Sequence, residues 1–291
     1  MSLDGFSVDL GGTKTAVAQI ENGVVTRRLQ QPTDAGAALA DQLTAIETLL
    51  AEAGYRHGEP LGVAVAGRVD REGNWHAVNK TTLSAISAAP LGAELAARFG
   101  ARTKAVNDAA AAAWAEAQLG AGQGTFNFAY LTVSTGIGGG LVLGGRLIES
   151  ANGLAGHVGF VSSPLGETIC GSGRFGTVES VAGGRGIAAA ANLPDARAVF
   201  ESGAHDAIID RSARAVATLI ADLTTILGLD RVAIGGSIGL APGYLARVAT
   251  HLSQEPDLFQ PALVAATLGH DSGLIGALLM AQQAGREAPF R

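Results

Sequence analysis

Two stretches of the chain, FSVDLGGTKTAVAQIENGVV at 6–25 and AYLTVSTGIGGGLVLGGRLI at 129–148, follow one plan. Each is an apolar strand, a polar glycine turn with threonine, a second strand, a short turn and the start of a third strand. A chain of 291 residues that repeats such a unit is constrained to two similar α/β domains, and 47% hydrophobic residues supply two modest cores. The expected division is a small α/β domain over 1–107, completed by a C-terminal helix at 274–291, and a larger one over 108–273. A compact hinge is expected at Asn107/Asp108.

Between the repeats the pattern alternates. Short strands are expected at Phe6–Leu10, Thr15–Ile20 and Val24–Leu29, and a helix over Ala35–Ala53 with Leu39, Leu43, Ile46, Leu49 and Leu50 on one face. Leu61–Ala66 reads as a buried strand, Pro90–Phe99 as a helix opened by proline, and Ala105–Asn107 as a strand running into an alanine-rich helix from Asp108 to about Leu119. Strands follow at Phe128–Val133 and Gly139–Leu143, then helices at Val181–Ala191, Ala196–Ser202 and Ala207–Leu227. A late strand lies in RVAIGGSIGL, and a final helix spans Leu274–Gln283.

The 41 glycines are clustered rather than periodic, so they mark tight turns and close backbone approach. A net charge of −6 without a Lys/Arg cluster argues against a nucleic-acid partner held by phosphate neutralisation. One cysteine excludes an internal disulfide framework. The start MSLDGFSVDLGG has no basic region followed by an apolar run, and the long uncharged stretch 117–145 is too rich in glycine and polar residues for a membrane helix. A cytoplasmic protein with small-molecule partners and no membrane contact is the expectation.

Three glycine turns follow apolar strands. In DLGGTK, Gly11 and Gly12 let backbone N–H groups approach an anion, Thr13 adds a hydroxyl, and Asp9 can hold hydrated Mg²⁺ beside phosphates. Alone, that turn fits an ordinary hairpin equally well. STGIGGG (Ser134–Gly140) and GGS (Gly235–Ser237) repeat the device, and three such turns suit one nucleotide. Asn107 and Asp108 stand where strand gives way to helix, a place for functional polar residues in α/β folds. Asp108 there reads either as a helix cap or as a carboxylate that accepts a proton from an attacking hydroxyl.

The set DLGGTK, ND before AAAWAEAQLG, LTVSTGIGGGL, GLAGHVG, GRGIAAAA and VAIGGSIGLAPGYL resembles the ROK family of sugar kinases and repressors, in order from about Phe6 to Gln282. The resemblance implies the two-domain actin/hexokinase-like ATPase fold, an active site in the interdomain cleft, ATP and Mg²⁺ as cofactors, phosphate transfer to a sugar 6-hydroxyl, and a homodimer. Carried over by position, Asp9, Gly11, Gly12, Thr13 and Lys14 resemble the first phosphate loop. Ser134, Thr135, Gly136, Gly138 and Gly139 resemble the second, and Gly235 and Gly236 the adenosine-side turn. Asp108 matches the catalytic base, while Gly67, Arg68, Asn79, Asn107, His157 and Glu179 match sugar-contacting positions. A polyol needs several such groups, because each left unmatched by a wrong epimer costs about 1–3 kcal/mol.

His157 narrows the implied acceptor. Glucose-specific members have glutamate in AGExGH, whereas members acting on N-acetylmannosamine, in sialic acid catabolism, have histidine in AGHxGH; LAGHVGF resembles the second group. On spacing alone a packed core histidine would explain it. The family's zinc ligands, a histidine and three cysteines, fall on Phe160, Cys170, Ser172 and Thr177, so no structural zinc is expected and Cys170 reads as a small buried residue. The alternatives are a glucokinase or other hexose kinase, and a non-catalytic sugar-sensing regulator. Intact phosphate loops and Asp108 argue against the last, and only five residues before the first strand argue against a DNA-binding extension.

Overall fold

The computed structural model describes residues 2–79 and 82–284, which form two compact units. The first comprises the described residues within Met1–Ala115, Glu149–Leu154 and Asp271–Arg291; the second is Glu116–Ile148 with Ala155–His270.

In the first unit, strands β1 (Gly5–Leu10), β2 (Lys14–Glu21) and β3 (Val24–Pro32) make an antiparallel meander. Helix α1 (Leu39–Ala53) leads to β4 (Leu61–Val65), the short pair β5 (Arg68–Val69) and β6 (Trp75–His76), helix α2 (Leu91–Phe99) and β7 (Thr103–Asn107). Strands β1, β4 and β7 are parallel, so the sheet order is β3-β2-β1-β4-β7. Helix α1 starts at Leu39 rather than Ala35, because a turn closed by Ala37 N–H on the Asp34 carbonyl, with the Asp34 carboxylate taking Gly36 N–H, occupies the residues before it. Helix α3 (Asp108–Leu119) follows β7 directly, and the partition between the units passes through it at Ala115/Glu116 rather than at the strand–helix junction.

The second unit repeats the sheet. Strands β8 (Phe128–Val133), β9 (Ile137–Leu143) and β10 (Arg146–Leu147) form the meander. After it come α4 (Val178–Ala182), α5 (Gly184–Ala191), α6 (Ala196–Ser202), α7 (Asp206–Leu227), β11 (Arg231–Gly235), α8 (Tyr244–Leu252) and β12 (Ala262–Ala265). The order β10-β9-β8-β11-β12, with β8, β11 and β12 parallel, matches the first sheet strand for strand. The single helix expected at Val181–Ala191 is two helices, because the chain leaves helical geometry at Gly183 (φ −68°, ψ 149°). Elements β5, β6, α8 and β12 were not anticipated from sequence.

Each sheet has its own core. Val8, Leu10, Ile46, Leu61 and Val63 are among the residues that fill the first, and Leu131, Val133, Val216, Ile220 and Val232 among those of the second. Helix α9 (Ser272–Ala284) belongs to the first unit, and the expected 285–291 lie outside the described residues. A Cβ on Gly62 of β4 would lie 2.1 Å from the Ala277 carbonyl carbon, and one on Gly276 would lie 1.8 Å from the Ala111 oxygen. Close backbone packing of α9 on β4 and on Ala111 of α3 therefore explains both glycines. Among the described residues, no helix is long and apolar enough to cross a membrane.

Candidate active site

In the first unit, parallel pairing sets the site. Leu10 pairs with Val65 and Val65 with Asn107, so DLGG, the Gly67 turn and the Asn107–Asp108 pair all emerge at the carboxyl ends of adjacent strands. Gly11 N–H donates to the Lys14 carbonyl and closes the first turn. A Cβ on Gly12 would fall 2.0 Å from the Thr82 methyl, and Thr82 N–H is held by the Asn79 carbonyl, so the Asn79 segment lies against this turn. Thr13 accepts Thr33 N–H through its carbonyl.

Asn107 is the organiser. Its amide donates to the Gly67 carbonyl (2.7 Å) and to Asp108 Oδ1 (2.9 Å), and its Oδ1 accepts Ala110 N–H (3.0 Å). The helix cap considered for Asp108 is thus made by Asn107. Asp108 Oδ1 accepts Ala109 N–H, while burial and the Asp9 carboxylate push the Asp108 carboxyl up to about 7. Burial raises Asp9 too, against the pull of Lys14 and Arg28.

Gly67 sits at φ +104°, and a Cβ there would be 2.5 Å from the His76 carbonyl. Sequence reasoning missed what fixes this turn. Trp75 Nε1–H donates to the Ala66 carbonyl, and Asp70 accepts from Glu72 and Asn74 N–H groups, from the Asn74 amide, and pairs with His76 (2.8 Å). That set holds the Asp70 carboxyl down to about 2, the His76 hydrogen bond being the largest cause. Arg68 donates from its guanidinium to the Asn152 carbonyl (2.6 Å).

In the second unit, Ser134, Thr135 and Gly136 form the turn between β8 and β9, and Gly235–Gly236 ends β11 beside it. Ser134 Oγ and Ser237 Oγ are 3.0 Å apart. Gly184 N–H donates to the Ser134 carbonyl (2.7 Å) and Arg185 N–H to that of Thr135 (3.1 Å), a contribution signalled only by the glycine cluster GGRG. Gly138 pairs with Thr132 within the sheet. Gly139 admits the Gly156–Gly159 segment: a Cβ on it would stand 2.8 Å from a Val158 methyl.

Glu179 on α4 accepts Ile137 N–H at 3.2 Å, and burial is the main cause raising its carboxyl above the usual range. His157 leads into a 3₁₀ turn, Val158–Phe160, and its ring stacks on Phe160 (5.9 Å, 26°). Cys170 is buried, 3.0 Å from Ser172 Oγ, and Thr177 caps α4 by accepting Ser180 N–H. The loop between them is tied by backbone bonds: Cys170 to Arg174, Gly176 to Thr168, Ser163 to Gly176 and Val178 to Val161.

Residues 5–284 match the model of the ROK family over nearly the whole chain. The chain belongs to the ROK family. An N-acetylmannosamine kinase of Escherichia coli (strain SE11) is 43% identical over 290 residues, covering 95% of this ROK chain and 98% of that protein. Among solved structures, the ROK hexokinase of Thermus thermophilus superposes with a TM-score of 0.82 at 31% identity, over 98% of this chain and 100% of that one. A ROK family glucokinase from Streptomyces griseus, in complex with glucose and AMPPNP, follows at 0.81 and 25%, over 96% and 99%. This ROK protein thus has the two-domain, actin/hexokinase-like ATPase fold, each sheet carrying one set of glycine turns.

Proposed function

We propose that the protein transfers the γ-phosphoryl group of ATP to the 6-hydroxyl of N-acetylmannosamine, giving N-acetylmannosamine 6-phosphate in sialic acid catabolism. The observation that carries the reading is Asp108: a carboxylate at the strand–helix junction, fastened by Asn107 and raised to about 7, is matched to proton transfer near neutral pH. The likeness to the Escherichia coli N-acetylmannosamine kinase, with His157 in LAGHVGF, supports the choice of sugar.

In this reading ionised Asp108 takes the hydroxyl proton as the sugar oxygen bonds to phosphorus, and the bond from phosphorus to ADP breaks. Asn107, Gly67, Arg68, Asn79, His157 and Glu179 are assigned to the sugar. The turns Asp9–Lys14, Ser134–Gly139 and Gly235–Gly236 are assigned to the nucleotide. Among the described residues no cluster of three or more His, Cys, Asp or Glu side chains forms a metal cage. Asp9 suits Mg²⁺ that arrives with ATP, since that ion takes one or two carboxylates beside phosphate oxygens and water, and it would neutralise phosphate charge. A homodimer is part of the proposal by family likeness, and a cytoplasmic location is proposed with it.

The test is phosphorylation of N-acetylmannosamine, N-acetylglucosamine, glucose and fructose measured side by side. N-acetylmannosamine should have the highest kcat/KM. Glucose as clearly the best acceptor would replace this reading by a hexose kinase. Sugar binding without transfer to any acceptor would replace it by a sugar sensor.

A further inference from the structure

The second glycine turn and the carboxylate assigned to the sugar are one piece of structure. Glu179 Oε2 accepts Ile137 N–H at 3.2 Å, and a Cβ on Gly136 would lie 2.5 Å from the same oxygen. The far end of α4 is fastened to that turn as well. A Cβ on Gly183, the residue that ends α4, would lie 3.2 Å from Gly136 Cα, and the next two amides, Gly184 and Arg185 N–H, donate to the Ser134 and Thr135 carbonyls. A side chain at Gly136 would have to displace the carboxylate from this position, and a shift of the turn would carry Glu179 with it.

We propose that Gly136 and the Ile137 amide are positioning elements for sugar recognition: they set the Glu179 carboxylate, so the turn that faces the nucleotide also tunes affinity for the acceptor. The inference rests on the assignment of Glu179 to the sugar. By linkage, any effect of nucleotide on sugar affinity carried here is matched by an equal effect of sugar on nucleotide affinity.

The experiment is calorimetric titration of N-acetylmannosamine into nucleotide-free wild type and Gly136→Ala, repeated with ADP present. Gly136→Ala should weaken sugar binding about tenfold or more without nucleotide, the scale of a lost hydrogen bond to a charged group. Unchanged nucleotide-free sugar affinity with weakened ADP binding would overturn the proposal and leave Gly136 a phosphate-loop residue alone. Should Gly136→Ala fail to fold, amide exchange in the wild type decides. Sugar alone should slow exchange at Ile137, and no change there would overturn the inference. Absence of sugar binding to the wild type would instead remove the functional reading, and this inference with it.

Discussion

Asn107 holds Asp108 Oδ1 at 2.9 Å with the same amide that holds the Gly67 carbonyl at 2.7 Å. One side chain therefore orients the proposed base, fixes the Gly67 turn and caps α3. Its hydrogen bond favours the ionised form of Asp108. Asn107→Ala is expected to move the acidic limb of the kcat–pH profile to higher pH and to lower stability by about 1 kcal/mol through the lost cap. A limb that stays in place would show that Asn107 does not tune Asp108.

Asp108→Asn should reduce kcat by about 10²–10⁴-fold while calorimetry still detects sugar and ATP binding, because the proton acceptor goes and the pocket stays. Its effect on stability runs the other way. The folded pKa, about 7, lies above the unfolded value of 3.8, so the folded state holds the proton more tightly and stability falls as pH rises between those values. At pH 8 the variant should be the more stable protein, by an amount on the order of a few kcal/mol. Equal melting temperatures at pH 8 would contradict the burial argument. In the wild type, activity should rise with pH through about 7 as the base ionises.

Glu116 is fully buried in α3 and accepts N–H groups from Ala121, Thr267 and Leu268 and the Thr267 hydroxyl. Glu116→Ala strands three backbone donors and should destabilise by about 3–5 kcal/mol in urea denaturation. Glu116→Gln keeps one acceptor oxygen and should lose less. An alanine variant within about 1 kcal/mol of wild type would mean that water replaces the carboxylate.

At the family's zinc positions stand Phe160, Cys170, Ser172 and Thr177, and backbone hydrogen bonds tie the loop. Metal analysis of purified protein should find no stoichiometric zinc. Treatment with a chelator should leave the melting temperature unchanged, and activity should return on adding Mg²⁺ alone. Recovery that requires zinc would refute this.

Much of the fold was legible because its signals are local. The repeat of strand, glycine turn and strand at 6–25 and 129–148 announces two matched sheets, and period-2 and period-3.6 patterns place most elements within a few residues. The identities of Asn107, Asp108 and the three glycine turns carry enough chemistry to suggest a phosphoryl-transfer site. Sequence could not divide labour among them. That Asn107 rather than Asp108 caps α3 depends on where β7 stops beside β4.

Likewise the Asp70–His76 pair, the seating of α5 on Ser134 and Thr135, and the contact of Glu179 with Ile137 join residues far apart in the chain or across a turn. Such contacts are set by packing and leave no periodic trace. The sequence by itself determined the two-sheet plan and the residue types available for catalysis. Only the tertiary structure decided which glycine admits a helix, which admits a carboxylate, and which carboxyl is buried enough to hold its proton near pH 7, because desolvation and close approach belong to the packed chain.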